Sequence, residues 1–541
     1  MVKTKAEELA EKQREISVSE FFEKNRHLLG FDNPLRALST TVKELVDNSL
    51  DATEDMRVLP DLKVEVIQID ETRFRIVVTD NGPGVVKEQI PRVFAKLLYG
   101  SKFGRNIQSR GQQGIGVSAS VLYGQLTTGK PAKITSKIGK NKPAHHYELK
   151  IDINKNEPEI IKDEIVDFSV EHGTKVEIEL EGKYQKGRQG VDEYLKQVAI
   201  ANPHAEVTYI NPLKEKIIFK QAINKLPKEP RSIKPHPYGI EIGILIRMLS
   251  ISKAKTLFGF LSGEFSRVST NLAKEICTKA NIDFNIKPNS INHEQIERLI
   301  KTIRETKIMA PPLDCLSPIG EQAIIEGLKK EIKGDFYAAI TRRPSVYRGN
   351  PFLIEVGLAY GGELKNDEFI RVVRLANKVP LQYQQSACAI TKSIINTSWR
   401  NYGLSQSKGA LPQGPLFLMV HIASVWVPFT SEAKEAIAHY PEIIKQIKLA
   451  LQDVGRQLGS YIRKTVRAKE QKERASLFEK YIPEVASSLA VLTGEGKNKI
   501  EEKLNKILKK NLKDILTGTG ESNASDKKEE VKQKEKQTTL N

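Results

Sequence analysis

Lys43-Glu44-Leu45-Val46-Asp47-Asn48-Ser49-Leu50-Asp51-Ala52 is the stretch from which the rest of the chain can be read. At about 100° per residue, a helix places Glu44, Asn48 and Asp51 on one polar face, with Leu38, Val42, Leu45, Ser49 and Ala52 on a small, apolar one. A face meant only for solvent is expected to carry lysine. Two carboxylates and an amide could instead hold a cation and an activated water, the chemistry of metal-assisted phosphoryl transfer. A solvated acidic face has the same spacing.

The segments that follow favour the first reading. Leu62 to Ile69 and Phe74 to Thr79 alternate as two short strands, joined by Asp70-Glu71-Thr72-Arg73. Asp80-Asn81-Gly82-Pro83-Gly84 comes directly after the second strand. It is either an ordinary turn or an aspartate at a strand end, whose glycines let a planar ligand approach the backbone. Gly111-Gln112-Gln113-Gly114-Ile115-Gly116-Val117-Ser118 then forms a glycine-rich loop running into a helix, where free amides could hold phosphates. Downstream, Gly124-Gln125-Leu126-Thr127-Thr128-Gly129-Lys130 imitates a P-loop, but Pro131 stands where a magnesium-binding hydroxyl is needed. A hairpin turn between two strands is the expectation there.

In this order and spacing, the acid-amide helix, the Asp-x-Gly turn and the glycine loop resemble the Bergerat ATP-binding fold of the gyrase, heat-shock chaperone, histidine kinase and MutL superfamily. Over its whole length the chain is similar to the B subunits of type IIB DNA topoisomerases. The resemblance implies an α+β multidomain protein with a Bergerat ATPase α/β sandwich, a helix-two-turn-helix insert, an α/β transducer domain and a long C-terminal helix. The expected divisions are an N-terminal arm at 1–20, the ATPase domain at 21–228 and the helical insert at 229–308. The transducer with the start of the long helix follows at 309–470, then a helical region at 471–517 and a disordered tail at 518–541.

The resemblance also implies roles. Glu44 would be the general base toward the γ-phosphate of ATP, Asn48 the Mg²⁺ ligand, and Asp80 the acceptor of the adenine amine, with Gly84 making room for the ring. A lid from Ser101 and Lys102 through Gly111, Gln112, Gln113, Gly114, Ile115, Gly116 and Val117 to Ser118 would close over the phosphates. Thr174, in the Gly-Thr pair before a strand at 175–180, would contact the adenine side, although threonine also simply starts strands well. Lys434 would reach the γ-phosphate from the transducer. The implied partners are double-stranded DNA, a second copy of the chain clasped by ATP, and a topoisomerase A subunit that carries the DNA-cleaving tyrosine. The N-terminal segment would reach across to the second copy.

DNA contacts are expected at Lys186 and Arg188 in a basic glycine loop, and at Trp399, Arg400 and Tyr402, where aromatic rings flank a cation. Core packing of Trp399 is the competing reading, since indoles are mostly buried. Lys plus Arg number 85 against 67 for Asp plus Glu, a net charge of +18 that suits a polyanionic partner. Cys277, Cys315 and Cys388 are too few and too scattered for a disulfide framework or a zinc site. With no run of 18 apolar residues and no signal-like start, the chain is expected to have no membrane partner and to lie in the cytoplasm with the nucleoid. The nucleotide motifs alone also admit a mismatch-repair or chaperone clamp, a sensor kinase, or a DNA-binding scaffold with a degenerate site.

Overall fold

The computed structural model describes residues 4–101, 104–111, 114–187, 189–431 and 433–516. Lys102, Gln112, Gln113, Arg188 and the segment 518–541 therefore lie outside the described residues. Two short helices come first, α1 (Lys5–Ala10) and α2 (Val18–Lys24). Ser17 caps α2 and also bonds the carbonyl of Ile153, while Ser19 donates to Asn156 at 2.9 Å, so the chain is tied to the body from this point. Asn33 then starts the central helix α3 (Pro34–Asp55). Its side chain accepts the Arg36 amide at 2.9 Å, and Pro34 sits where a missing N–H has no cost.

α3 packs on an eight-stranded sheet formed by β1 (Asp61–Gln68), β2 (Arg73–Asp80), β3 (Ala132–Lys137), β4 (Ala144–Asp152), β5 (Glu157–Val166), β6 (Gly173–Glu181), β7 (Glu206–Ile210) and β8 (Lys216–Phe219). The order is β5-β4-β3-β6-β2-β1-β7-β8, antiparallel except where β1 meets β7. Alternation decides which face is dry: Leu62, Val64 and Val66 of β1 are buried with Ile76, Val78, Ile134 and Ile178. α3, α4 (Ile90–Ala95), α5 (Gly116–Thr128) and α6 (Val191–Ala201) supply the other half of that core through residues such as Val42, Val46, Leu50 and Val198. β5 is an outer strand of the sheet. It carries Pro158, exposed Ile160, Ile161 and Ile165, and a bulge opposite Glu148 and Leu149.

The P-loop imitation is not a hairpin. Gly124 to Thr128 form the end of α5, and Gly129 caps it in the left-handed region at φ +70°. Gly124 looks like a turn marker but is a packing residue, since a Cβ there would lie 2.7 Å from the Glu179 carbonyl oxygen on β6.

Four helices follow, α7 (Ile242–Ile251), α8 (Leu257–Glu264), α9 (Thr270–Lys279) and α10 (His293–Glu305), around a core of their own that includes Leu245, Phe260, Ile276 and Leu299. A second sheet comes next, from β9 (Phe336–Thr341), β10 (Ser345–Tyr347), β11 (Asn350–Tyr360), β12 (Arg371–Ala376), β13 (Val379–Pro380) and β14 (Leu416–Ser424). Its order is β10-β11-β14-β12-β13, with β9 also on β11, and α11 (Glu321–Glu331) packs on it through Ile324 and Leu328. β11 and β14 are buried on both faces, which explains their nearly continuous apolar reading. α12 (Ala389–Ile395) lies between β13 and β14 in the chain.

The described part of the chain closes with α13 (Pro441–Thr493) and α14 (Lys497–Leu516). Pro483 lies inside α13, and the helix continues through it for ten more residues to Thr493. The polypeptide divides into two compact units, Met1–Arg400 with Leu404–Gly455, and Asn401–Gly403 with Arg456–Asn541. Among the described residues no helix is long and apolar enough to cross a membrane, and the three cysteines are buried free thiols.

Candidate nucleotide site

Five separated stretches of chain meet around one cavity of about 700 Å³ in the first unit. Glu44 and Asn48 enter it from α3, Asp80 from the end of β2, and Thr174 from the start of β6. Ser101, Gly111, Gly114, Ile115, Gly116, Val117 and Ser118 line it from the glycine loop, and Lys434 from beyond the second sheet.

At one end the Asp80 carboxylate is buried and held at three points. Oδ1 accepts the amides of Gly82 at 2.9 Å and Thr174 at 3.1 Å, and Oδ2 accepts the Ser49 hydroxyl at 2.9 Å. Burial raises its pKa, and these bonds oppose the rise. Thr174 thus both begins a strand and orients Asp80 through its backbone. Gly84 is elsewhere. It does not line the cavity, and a Cβ on it, at φ +69°, would strike the Lys137 carbonyl oxygen at 2.3 Å. The room it makes is for β3, not for a bound ring.

At the other end Glu44 lies against the first residue of α5. An ideal Cβ on Gly116 would be 1.8 Å from Glu44 Oε2. Among the described residues no side chain caps α5, so its first amides are open to an anion, and the helix dipole favours one there. Asn48 donates its Nδ2 to the Glu44 carbonyl at 2.7 Å, which leaves Oδ1 without a protein partner among the described residues. A single hard oxygen of this kind fits magnesium, which takes most of its ligands from phosphate and water. Asp51 does not join them. Its carboxylate pairs with Arg110 at 2.8 Å, away from the cavity, so two members of the expected triad remain.

Lys434 stands at the tip of a loop with φ +53°, closed by Thr430 N to Ala436 O at 2.9 Å and Ala438 N to Pro428 O at 2.8 Å. Burial lowers the pKa of its ammonium, and the Glu44 carboxylate is the main charge opposing that. The next residue, Glu435, is buried and paired with Arg36 on α3, whose guanidinium also lies over the Tyr383 ring at 4.8 Å. Lys434 is therefore presented to the cavity by an anchored loop.

The DNA candidates separate. Lys186 is exposed and paired with equally exposed Glu215 at 2.8 Å, a contact weak enough to exchange for a phosphate. Trp399 is fully buried, and its indole N–H donates to the Ile394 carbonyl at 2.9 Å, so its ring cannot stack on a base. Arg400 is exposed and Tyr402 half-buried. The sequence reading missed Ser49, Arg110 and the wall formed by Pro380, Gln382 and Tyr383. Ser49 was legible as a small residue on the sheet-facing side of α3. Pro380, Gln382 and Tyr383 reach the site from a distant segment without a motif, and Arg110 stands behind the cavity and carries no signal of its own.

A family model described as "Histidine kinase-, DNA gyrase B-, and HSP90-like ATPase" matches residues 36–182, and one described as "Topoisomerase VI B subunit, transducer" matches 311–474. The type 2 DNA topoisomerase 6 B subunit of Methanococcoides burtonii is 51% identical over 486 residues, 90% of this chain and 78% of that protein. Its namesake in Methanosarcina barkeri is 50% identical over 488 residues, 90% and 79% of the two chains. In Pyrococcus horikoshii the protein of the same name is 37% identical over 562 residues, 94% and 97% of the two chains.

Proposed function

The chain belongs to the family of type 2 DNA topoisomerase 6 B subunits, and we propose that its 700 Å³ cavity is where this ATP-hydrolysing topoisomerase subunit holds and cleaves its nucleotide. The convergence of Glu44, Gly116 and Lys434 from three separate segments carries this reading. Asp80 accepts a hydrogen bond from the adenine amine, and Thr174 keeps that carboxylate in place. The free amides at the start of α5 bind the phosphates. Glu44 orients a water in line with the γ-phosphate and takes its proton, acting mainly by position. Lys434 meets the charge that builds on the γ-phosphate oxygens. Asn48 Oδ1 would hold magnesium, which when bound neutralises phosphate charge.

ATP that touches both α3 and the Lys434 loop favours the arrangement in which they are close, and its cleavage withdraws that preference. This is the lever by which two copies clasp and release around DNA. Breakage of the duplex falls to a separate A subunit with a catalytic tyrosine, and Lys186 and Arg400 meet phosphates of the bound DNA, all in the cytoplasm with the nucleoid. The mismatch-repair, chaperone and sensor-kinase readings fall away with the family. A degenerate site is the remaining contrary possibility, and Glu44→Ala decides it. The variant should lose at least about 100-fold in ATP turnover while binding a non-hydrolysable analogue within a few-fold of wild type. Unchanged turnover would remove Glu44 from its role. Once mixed with its A subunit, the chain should relax supercoiled DNA in an ATP-dependent manner.

A further inference from the structure

Asp51 and Glu54 follow Asn48 on α3, and both carboxylates turn to Arg110, at 2.8 and 2.5 Å. Arg110 is buried, also bonds Asn202, and directly precedes Gly111 of the phosphate loop. A second cation reaches the other oxygen of the Glu54 carboxylate. Lys378 lies in the two-residue turn Asn377-Lys378 between β12 and β13, where both residues take the left-handed conformation at φ +48° and +70°. Its buried Nζ is 3.3 Å from Glu54 Oε2 and 3.2 Å from Ser317 Oγ.

The backbone around this contact is pinned too. Asn377 Nδ2 donates to the Ser109 carbonyl at 3.0 Å, and the Gln108 side chain exchanges hydrogen bonds with the backbone of Ser317 at 2.7 and 3.0 Å. The Lys378 amide donates to His421 Nε2 at 2.9 Å, so that neutral ring gives its Nδ1–H to Glu355, 2.8 Å away. Glu355 in turn accepts the amides of Ile319 and Gly320, ahead of α11, at 2.8 Å each. Glu54 is thus one carboxylate shared by a cation of the phosphate-loop segment and a cation of the second sheet.

We infer that Lys378 is a positioning residue for ATP hydrolysis: through Glu54 it locks the start of the phosphate loop and the second sheet into one register, and so sets where Lys434 stands over Glu44. An apolar junction could hold the two parts together as firmly, because burying paired charges yields little net stability. What the ionic contact adds is a defined alignment, since a slip leaves Lys378 or Glu54 enclosed without its partner. Lys434 belongs to the chain that leaves β14, the strand of His421, so an error at the turn is passed to the lysine. This inference rests on the nucleotide-site reading above.

The test uses full-length Lys378→Met, Lys378→Arg, Glu54→Gln and the Lys378→Met/Glu54→Gln double variant, assayed well below their melting temperatures. Lys378→Met should lower kcat for ATP by at least about 10-fold, as small misplacements near reacting groups do, with KM and the affinity for a non-hydrolysable analogue within about 3-fold. Lys378→Arg should restore part of the rate, and the double variant should be no slower than Glu54→Gln alone, because the ion pair that Lys378→Met removes is already absent there. If Lys378→Met does not fold, Glu54→Gln, which keeps shape and most hydrogen bonds, is read for the same split between kcat and KM. Wild-type kcat in the folded variants overturns the inference, as does a parallel loss of rate and analogue affinity. Failure of the nucleotide-site reading is distinguishable, because Glu44→Ala would then turn over ATP like the wild type.

Discussion

The carboxylate of Glu44 fills the space that a side chain on Gly116 would need. A Cβ there would fall 1.8 Å from Oε2 and 2.5 Å from the carboxyl carbon. Alanine suits the first turn of a helix at least as well as glycine, so Gly116→Ala should leave α5 folded while driving the carboxylate from its place. Turnover is expected to fall by at least about 100-fold, toward that of Glu44→Ala, with an unchanged melting curve. Wild-type kcat in this variant would show that Glu44 acts from another position.

Gly82 and Gly84 share one turn but answer to different demands. At Gly84 a Cβ would collide with the Lys137 carbonyl on a backbone already at φ +69°. Gly84→Ala should therefore cost more than about 2 kcal/mol of stability, seen as a lower Tm. At Gly82 a Cβ would be 3.0 Å from Asp80 Oδ1 and 3.3 Å from the Ala52 Cβ. Gly82→Ala should shift Asp80, raising KM for ATP several-fold with a smaller change in Tm. Equal melting losses in the two would contradict this division.

Burial pushes the Asp47 carboxyl up to about 7, with Lys43 and Arg110 opposing, and the Tyr194 hydroxyl lies 3.1 Å from Oδ1. In the unfolded chain the same group titrates near 4, so between these values the folded state holds the extra proton. Stability is then lost as pH rises through this window, and the full penalty is present above about 7. Asp47→Asn should raise Tm at pH 8 and change it little at pH 4, with a ceiling of about 4 kcal/mol at the higher pH. A gain that does not vary with pH would place the penalty elsewhere.

Trp399 and Arg400 are adjacent in sequence but should fail in different assays. Trp399→Phe loses the bond to Ile394 and part of a buried ring, and is expected to lower stability by about 1–3 kcal/mol without altering the salt dependence of DNA binding. Arg400→Ala should weaken DNA binding and reduce the slope of log affinity against log salt by about 1, with Tm unchanged. A DNA defect in Trp399→Phe at full stability would restore the ring to the interface.

Part of the lining of the cavity was legible because those residues obey local rules. A helical period put Glu44 and Asn48 on one side of α3 and strand alternation placed Asp80 at a strand end, whereas Thr174 and Lys434 were named only through the family resemblance. The same period misassigned Asp51, because its partner Arg110 is 59 residues away and no spacing rule reports a distant cation. Lys378 was beyond reach for a similar reason, since a lysine in a tight turn looks like a solvated one until the fold encloses it. Gly124 and Pro483 show the opposite failure. Each is usually a breaker, yet Gly124 serves close packing of a helix on β6, and Pro483 is carried within a long helix.

The outer strand β5 has a bearing on how the protein behaves in concentrated solution. Its open backbone groups and three exposed isoleucines would be a template for fibrils if they lay flat and uncharged. Glu157, Glu159, Lys162, Asp163 and Glu164 place five acidic or basic side chains in ten positions, and the bulge and Pro158 interrupt the row of donors and acceptors. The margin of the sheet thus carries its own guard against runaway strand accretion, one that weakens where high salt screens those charges.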